Sequence, residues 1–109
     1  MQLGPQPELA LGVQCHDAMV KHAAALNEAL RTERLRKRIF AELYLRGDGS
    51  VAHREAMART NPAYIEAEER WVQCESAANL AKAEADGLRI RFEAWRTQQS
   101  TARAEMNLR

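Results

Sequence analysis

The sequence contains few of the residues that interrupt helices, with only 5 Gly and 3 Pro among 109 residues. No run approaches the roughly 20 consecutive apolar residues that a membrane-spanning helix requires. The N-terminus lacks the basic region and apolar run typical of a signal peptide. These absences argue against all-β and α/β folds, and we expect a cytoplasmic protein with no membrane partner.

Residues suited to catalysis or to metal binding are also sparse. The 2 cysteines, Cys15 and Cys74, have no zinc-ligand spacing and are predicted to be reduced, packed thiols. The 3 histidines do not share a helix face, and no glycine-rich loop is present that could cradle a phosphate. Neither thiol has a base nearby in the sequence. We therefore expect no metal, no cofactor and no enzymatic activity.

Alanine is the most prominent component of the chain, with 20 of the 109 residues. Together with 28% charged residues, this composition is typical of coiled coils and long amphipathic helices. The length predicts a single domain over residues 1–109. Because alanine contributes only a methyl group, a lone monomer would bury a thin core.

Helix start and stop signals divide the chain into segments. The turn at 47–50 contains two glycines that can end a helix, and Ser50 can cap the next one. Asn61 can cap a further helix, in which Pro62 takes the first position without losing a hydrogen bond. We predict an irregular arm over 1–12, a first helix over 13–46, a short helix over 51–59 and a long helix over 62–107.

The strongest pattern in the sequence is a heptad repeat within the long helix. Thirteen positions alternate spacings of three and four from Tyr64 to Met106, and all but Gln99 are apolar. This pattern predicts one continuous helix with a coiled-coil seam. The larger seam residues expected in the core or in an oligomer interface are Tyr64, Trp71, Leu88, Phe92, Trp95 and Met106.

The first helix is the nearest partner for this seam, which predicts an antiparallel helical hairpin. Its own apolar stripe is interrupted by Glu33 and Lys37. Because one helix would cover the seam aromatics only in part, we expect the hairpins to assemble into a coiled-coil homo-oligomer. The stripe of the first helix consists of Met19, Ala23, Leu26, Leu30, Phe40 and Tyr44.

Gly87, within the long helix, is predicted to mark a bend or a close helix crossing.

Charge is unevenly distributed although the net charge is only +1. Residues 31–46 carry +4, residues 61–88 carry −4 and residues 89–109 carry +3. Basic clusters on helices favour contact with a nucleic-acid backbone, but in a hairpin the +4 segment could instead neutralise the −4 segment. The candidate nucleic-acid-binding residues are Arg31, Arg34, Arg36, Lys37, Arg38, Arg89, Arg91, Arg96 and Arg103.

The layout of three segments resembles small phage-encoded recombination-cassette proteins, and among named families the UvsY-type recombination mediators. These segments are the basic helix and glycine turn RKRIFAELYLRGDGS, the helix start NPAYI, and the final LRIRFEAWRTQQSTARAEM. The resemblance covers about residues 31–100. It implies an oligomeric helical accessory protein that binds single-stranded DNA without sequence preference. Such a protein helps to load a recombinase onto DNA coated by single-strand-binding protein.

Under this resemblance, the basic stretch over 31–38 contacts DNA and the heptad seam drives assembly. The short chain, its near-neutral charge and its alanine-rich seam depart from the family layout. The alternative is a protein-binding coiled-coil adaptor or inhibitor that makes no nucleic-acid contact. In that case the basic segment serves only to hold the hairpin together.

Overall fold

A computed structural model describes residues 7–108, and in this range the protein is all-helical, as predicted. Helix accounts for 94% of the described residues, which contain no strand. The elements are α1 (Pro7–Arg46), α2 (Val51–Thr60) and α3 (Pro62–Asn107).

Helix α1 begins at Pro7 rather than at residue 13. Proline is favourable at the first helical position, so Pro7 acts as a start signal and not as part of an irregular arm. Gly12 does not interrupt the helix, and a methyl group placed there would lie 4.0 Å from Phe92 Cε2. The predicted arm is therefore wrong for residues 7–12, and its first six residues lie outside the described range.

The turns between the helices use the caps predicted from the sequence. Ser50 Oγ accepts a hydrogen bond of 3.2 Å from the backbone N–H of His53 at the start of α2. Asn61 Oδ1 accepts one of 2.9 Å from the N–H of Ala63 at the start of α3. Gly49 has a φ of +97°, the left-handed region in which glycine is favoured over residues with a Cβ.

Backbone packing divides the chain into two units, each containing a segment of α1 and a segment of α3. Unit 1 comprises Met1–His22 with Leu80–Arg109, and unit 2 comprises Ala23–Asn79, which includes α2. In unit 1, Lys21 pairs with Glu84 and Gly12 lies near Phe92, so the two helical segments run antiparallel. The contacts of Glu28 with Arg70 and of Arg36 with Tyr64 give the same direction in unit 2.

Apart from Tyr64 in unit 2, small side chains form the buried core of both units. The buried residues on α1 include Ala18 in unit 1, with Ala29 and Thr32 in unit 2. The Thr32 hydroxyl donates a 2.9 Å hydrogen bond to the carbonyl of Ala29, which satisfies this buried polar group. The buried alanines on α3 are Ala67, Ala78, Ala81 and Ala85.

The first four residues of the apolar stripe predicted for α1 are exposed, whereas its last two, Phe40 and Tyr44, are half-buried as part of the packed face. Leu26 and Leu30 are 45% and 44% exposed, whereas the adjacent Ala29 is only 7% exposed. Met19 is likewise exposed. The true face is offset by one residue because the helices pack through methyl-sized side chains, which larger residues would force apart.

The α3 seam follows its predicted positions over most of its length. Every seam position from Tyr64 to Trp95 is buried or half-buried, whereas Gln99, Ala102 and Met106 are exposed. Gly87 does not mark a close crossing, because a methyl group built there would meet no atom within 4 Å.

Candidate nucleic-acid interface

Three of the predicted arginines form an exposed stripe on α1. Arg31, Arg34 and Arg38 are spaced by three and four residues, which places them on one side of the helix at 3.6 residues per turn. This side lies opposite Ala29, which is buried. The stripe is therefore open to a ligand along α1.

Arg36 faces the opposite way and packs on an aromatic side chain. Its Cζ lies 4.2 Å from the ring centroid of Trp71, and its Nη1 is 3.5 Å from the hydroxyl oxygen of Tyr64. Its Nε is buried, with no hydrogen-bond partner among the described residues. A guanidinium over a tryptophan face makes a favourable cation–π contact. Arg36 thus joins α1 to α3 within unit 2, separately from the exposed stripe.

Lys37 lies at the edge of α1 and pairs with a carboxylate on its own helix. Lys37 Nζ is 3.0 Å from Glu33 Oε1, one helical turn away. The hydrogen bond and charge of Lys37 hold the pKa of the Glu33 carboxyl below its usual value. The ammonium group is about two-thirds exposed. It can therefore reach a second anionic partner.

Helix α2 contributes two arginines that the sequence analysis missed. Arg59 lies over the ring of Phe40 at 5.9 Å, and Arg54 over the ring of Tyr44 at 5.8 Å. Phe40 also meets Tyr64 edge to face, with ring centroids 5.6 Å apart. The only signal in the sequence is that two basic residues follow an aromatic-rich helix end across a glycine turn.

These contacts leave a cavity of about 230 Å³ between the three helices of unit 2. Cations line it from α1 and α2, and aromatic rings line it from α1 and α3. No carboxylate is among the lining residues. The cavity therefore combines aromatic surface with positive charge, of which Glu33 offsets a part through its ion pair with Lys37. Its lining residues are Arg36, Lys37, Phe40, Arg59 and Tyr64.

Direct ion pairing does not connect the basic segment to the acidic part of α3 in unit 2. The ion pair between α1 and α3 in this unit joins Glu28 to Arg70 at 3.6 Å, with the acid on α1. Among the described residues of unit 2, no Lys or Arg of 31–46 lies within 4.0 Å of an α3 carboxylate. The neutralisation hypothesis thus has no ion pair to support it here.

The predicted C-terminal arginines lie in unit 1. Arg89 pairs with Asp86 at 3.6 Å, and Arg96 lies 5.9 Å from the ring centroid of Phe92. Arg91 and Arg103 are exposed. Arg96 and Arg103 line an open cavity of about 230 Å³ beside Trp95, Gln99 and Ser100. Arg96 and Arg103 thus form a second basic surface on α3.

Other functional features are not found among the described residues. Both cysteines are free and half-buried. No group of three or more His, Cys, Asp or Glu side chains over residues 7–108 is arranged to hold a metal ion. None of the helices in this range is both long and apolar enough to cross a membrane. Comparison with protein-family models, with curated proteins and with solved structures finds no match.

Proposed function

We propose that the protein is a recombination accessory factor that binds single-stranded DNA without sequence preference and helps to load a recombinase. The observation that carries the proposal is the basic segment of α1, whose exposed arginines Arg31, Arg34 and Arg38 make no ion pair with α3 in unit 2. Cations of this kind bind phosphates whatever the base sequence.

The recombinase or single-strand-binding protein as partner follows from the resemblance to phage-encoded mediators. Host cytoplasm is the corresponding location. We further propose that hairpins assemble through the coiled-coil seam into a homo-oligomer. Exposed seam positions such as Met106 are available for this contact. An oligomer would array several weak basic stripes along one strand, so that avidity raises the overall affinity.

The test is binding of a fluorescent poly-dT oligonucleotide at 50 and 200 mM salt, with the protein mass measured by light scattering. Three phosphate contacts give a slope of about −2 in a plot of log affinity against log salt, or roughly a 20-fold loss over this interval. Replacing Arg31, Arg34 and Arg38 together by Gln should bring the slope close to zero if they are the main contacts.

Arg70→Gln is the matched control, because it removes an exposed positive charge of the same unit that is paired with Glu28. It should change the slope by much less than 0.7, the approximate value for one phosphate contact. Because the stripe variant removes three positive charges and Arg70→Gln removes one, an effect of Arg70→Gln of one third or more of that of the stripe variant would assign binding to net charge rather than to the stripe. A mass of 12.3 kDa at micromolar concentration would exclude the oligomer.

The second candidate is a protein-binding coiled-coil adaptor or inhibitor. It is favoured by the large aliphatic side chains that remain exposed in unit 2, among them Leu26, Leu30, Ile65 and Val72. Such residues are typical of surfaces that contact another helix. A folded multimer that does not bind poly-dT at 50 mM salt would select this function over the first.

A further inference from the structure

The cavity between the three helices of unit 2 is lined by both cations and aromatic rings, whereas the exposed stripe consists of arginines alone. Arg36, Lys37 and Arg59 supply three positive charges, and Phe40 and Tyr64 supply two rings. The stripe can neutralise phosphates but has no aromatic residue within it. The two surfaces should therefore recognise different parts of a nucleic acid.

The chemistry of the lining defines the ligand. An inorganic anion would use the cations but leave the rings without a partner, and a neutral aromatic compound would use only the rings. A nucleotide carries both a phosphate and a planar base, and bases stack on Phe, Tyr and Arg side chains. The volume of about 230 Å³ is below the range of drug-sized pockets and limits the occupant to about one such unit.

We propose that this cavity, which we name the nucleotide cavity, holds one unpaired nucleotide of the bound strand. The base lies against the half-buried ring of Phe40, while Lys37 and Arg59 contact the phosphate; Tyr64, which is 8% exposed, supports Phe40 edge to face. Arg36 is a positioning residue, because its guanidinium is engaged with Trp71 and Tyr64. This inference rests on the proposed function and adds the part of the DNA that the site selects.

A nucleotide held in this cavity makes binding depend on whether its base is paired. A base in a duplex is paired and stacked, and it must be turned out of the helix to enter a cavity, at a cost of a few kcal/mol. An unpaired base meets little of this cost. The nucleotide cavity should therefore favour single strands over duplexes, whereas the stripe contacts phosphates that both forms share.

The test compares Arg59→Gln with Arg70→Gln, each removing one positive charge from unit 2. Fluorescence anisotropy measures binding of a dT oligonucleotide and of a duplex of equal length at 50 mM salt. Arg59→Gln should weaken single-strand binding about five- to tenfold, as expected when one nucleotide loses its place in the cavity. Duplex binding should weaken less than twofold. Arg70→Gln should change both by less than twofold.

Equal losses for single strand and duplex in Arg59→Gln would overturn the nucleotide cavity but leave the proposed function standing. No binding of either DNA by the wild-type protein would instead remove the proposed function. Circular dichroism shows whether Arg59→Gln still folds. If it does not, Phe40→Leu removes the stacking surface while keeping an apolar side chain, and the same selective loss is expected.

Titration with dTMP and with inorganic phosphate separates the two parts of the ligand. In NMR spectra of the labelled protein, dTMP should shift the ring resonances of Phe40 and Tyr64 at lower concentration than phosphate does. If both ligands shift these ring resonances at the same concentration, or if only the amides of the exposed stripe shift, the cavity does not hold a base.

Discussion

The alanine core leads to an unusual prediction for two adjacent residues of α3. Ala81 is 3% exposed and Leu80 is 64% exposed, so the smaller side chain is buried and the larger is not. Replacing Ala81 by Leu adds three carbon atoms where no space exists, and overpacking of this kind costs about 1–3 kcal/mol. Leu80→Ala should stay within about 0.5 kcal/mol, because it changes an exposed site and alanine is a strong helix former.

The assay is urea unfolding followed by circular dichroism at 222 nm, with each variant at two protein concentrations. The reasoning is refuted if Leu80→Ala costs the roughly 2–5 kcal/mol typical of a buried leucine while Ala81→Leu is neutral. A dependence of the measured stability on protein concentration identifies a separate cause of any loss in Leu80→Ala. A loss in Leu80→Ala that grows on dilution would mean that Leu80 lies between copies of the chain.

Three further experiments test other features of the structure. In a double-mutant cycle, Arg36→Gln and Trp71→Leu should show a coupling of about 0.5–2 kcal/mol in urea unfolding, and additive effects would exclude the cation–π contact. Gly49→Ala should lower the free energy of unfolding by about 1–2 kcal/mol, because Gly49 has a positive φ. Gly87→Ala should raise it by up to about 1 kcal/mol, because a methyl group has space there within a helix. A change of the same sign in both variants would contradict the turn geometry. Lys37 lowers the pKa of Glu33. The ion pair therefore contributes fully to stability above the usual glutamate pKa of about 4.3, and this contribution disappears as the pH falls below the lowered pKa. The stability difference between wild type and Glu33→Gln should therefore shrink between pH 6 and pH 3, and a constant difference would count against the ion pair.

The helical elements could be predicted from the sequence because their signals are local. Ser50, Asn61 and Pro62 specify the ends of helices through their own backbone and side-chain hydrogen-bonding properties. The three-four spacing of α3 likewise depends only on the helical repeat. The start of α1 was misplaced because an isolated proline is compatible with both an arm and a first helical turn.

The buried face of α1 could not be predicted from hydrophobicity alone. A pattern of Met19, Leu26 and Leu30 is a stronger hydrophobic signal than the alanines beside it, yet those larger residues are exposed. Which face is buried depends on how closely α3 approaches, and this distance is set by both helices together. A one-residue offset on a helix turns the face by about 100°, which is why the four residues from Met19 to Leu30 are exposed together, whereas Phe40 and Tyr44 are half-buried.

The candidate site is predictable in the basic run of α1, which includes Arg36 and Lys37 of the cavity, but not in the contribution of α2. Arg31, Arg34 and Arg38 stand out as a basic run in the sequence. Arg59 does not, because its role depends on α2 lying beside Phe40, a residue 19 positions earlier in the chain. Contacts between distant segments leave no periodic signal in one sequence.

The alanine core also affects how stability varies with temperature. The heat-capacity change of unfolding grows with the apolar area that becomes exposed, and averages about 12–15 cal/mol/K per residue in globular proteins. Here many large aliphatic side chains are already exposed in the folded chain, and the buried residues are mainly methyl-sized. Calorimetry of the isolated chain should therefore give a value below this range. The stability curve would be flatter, so that cooling or warming by tens of degrees changes the folded population less than in a protein with a leucine-rich core.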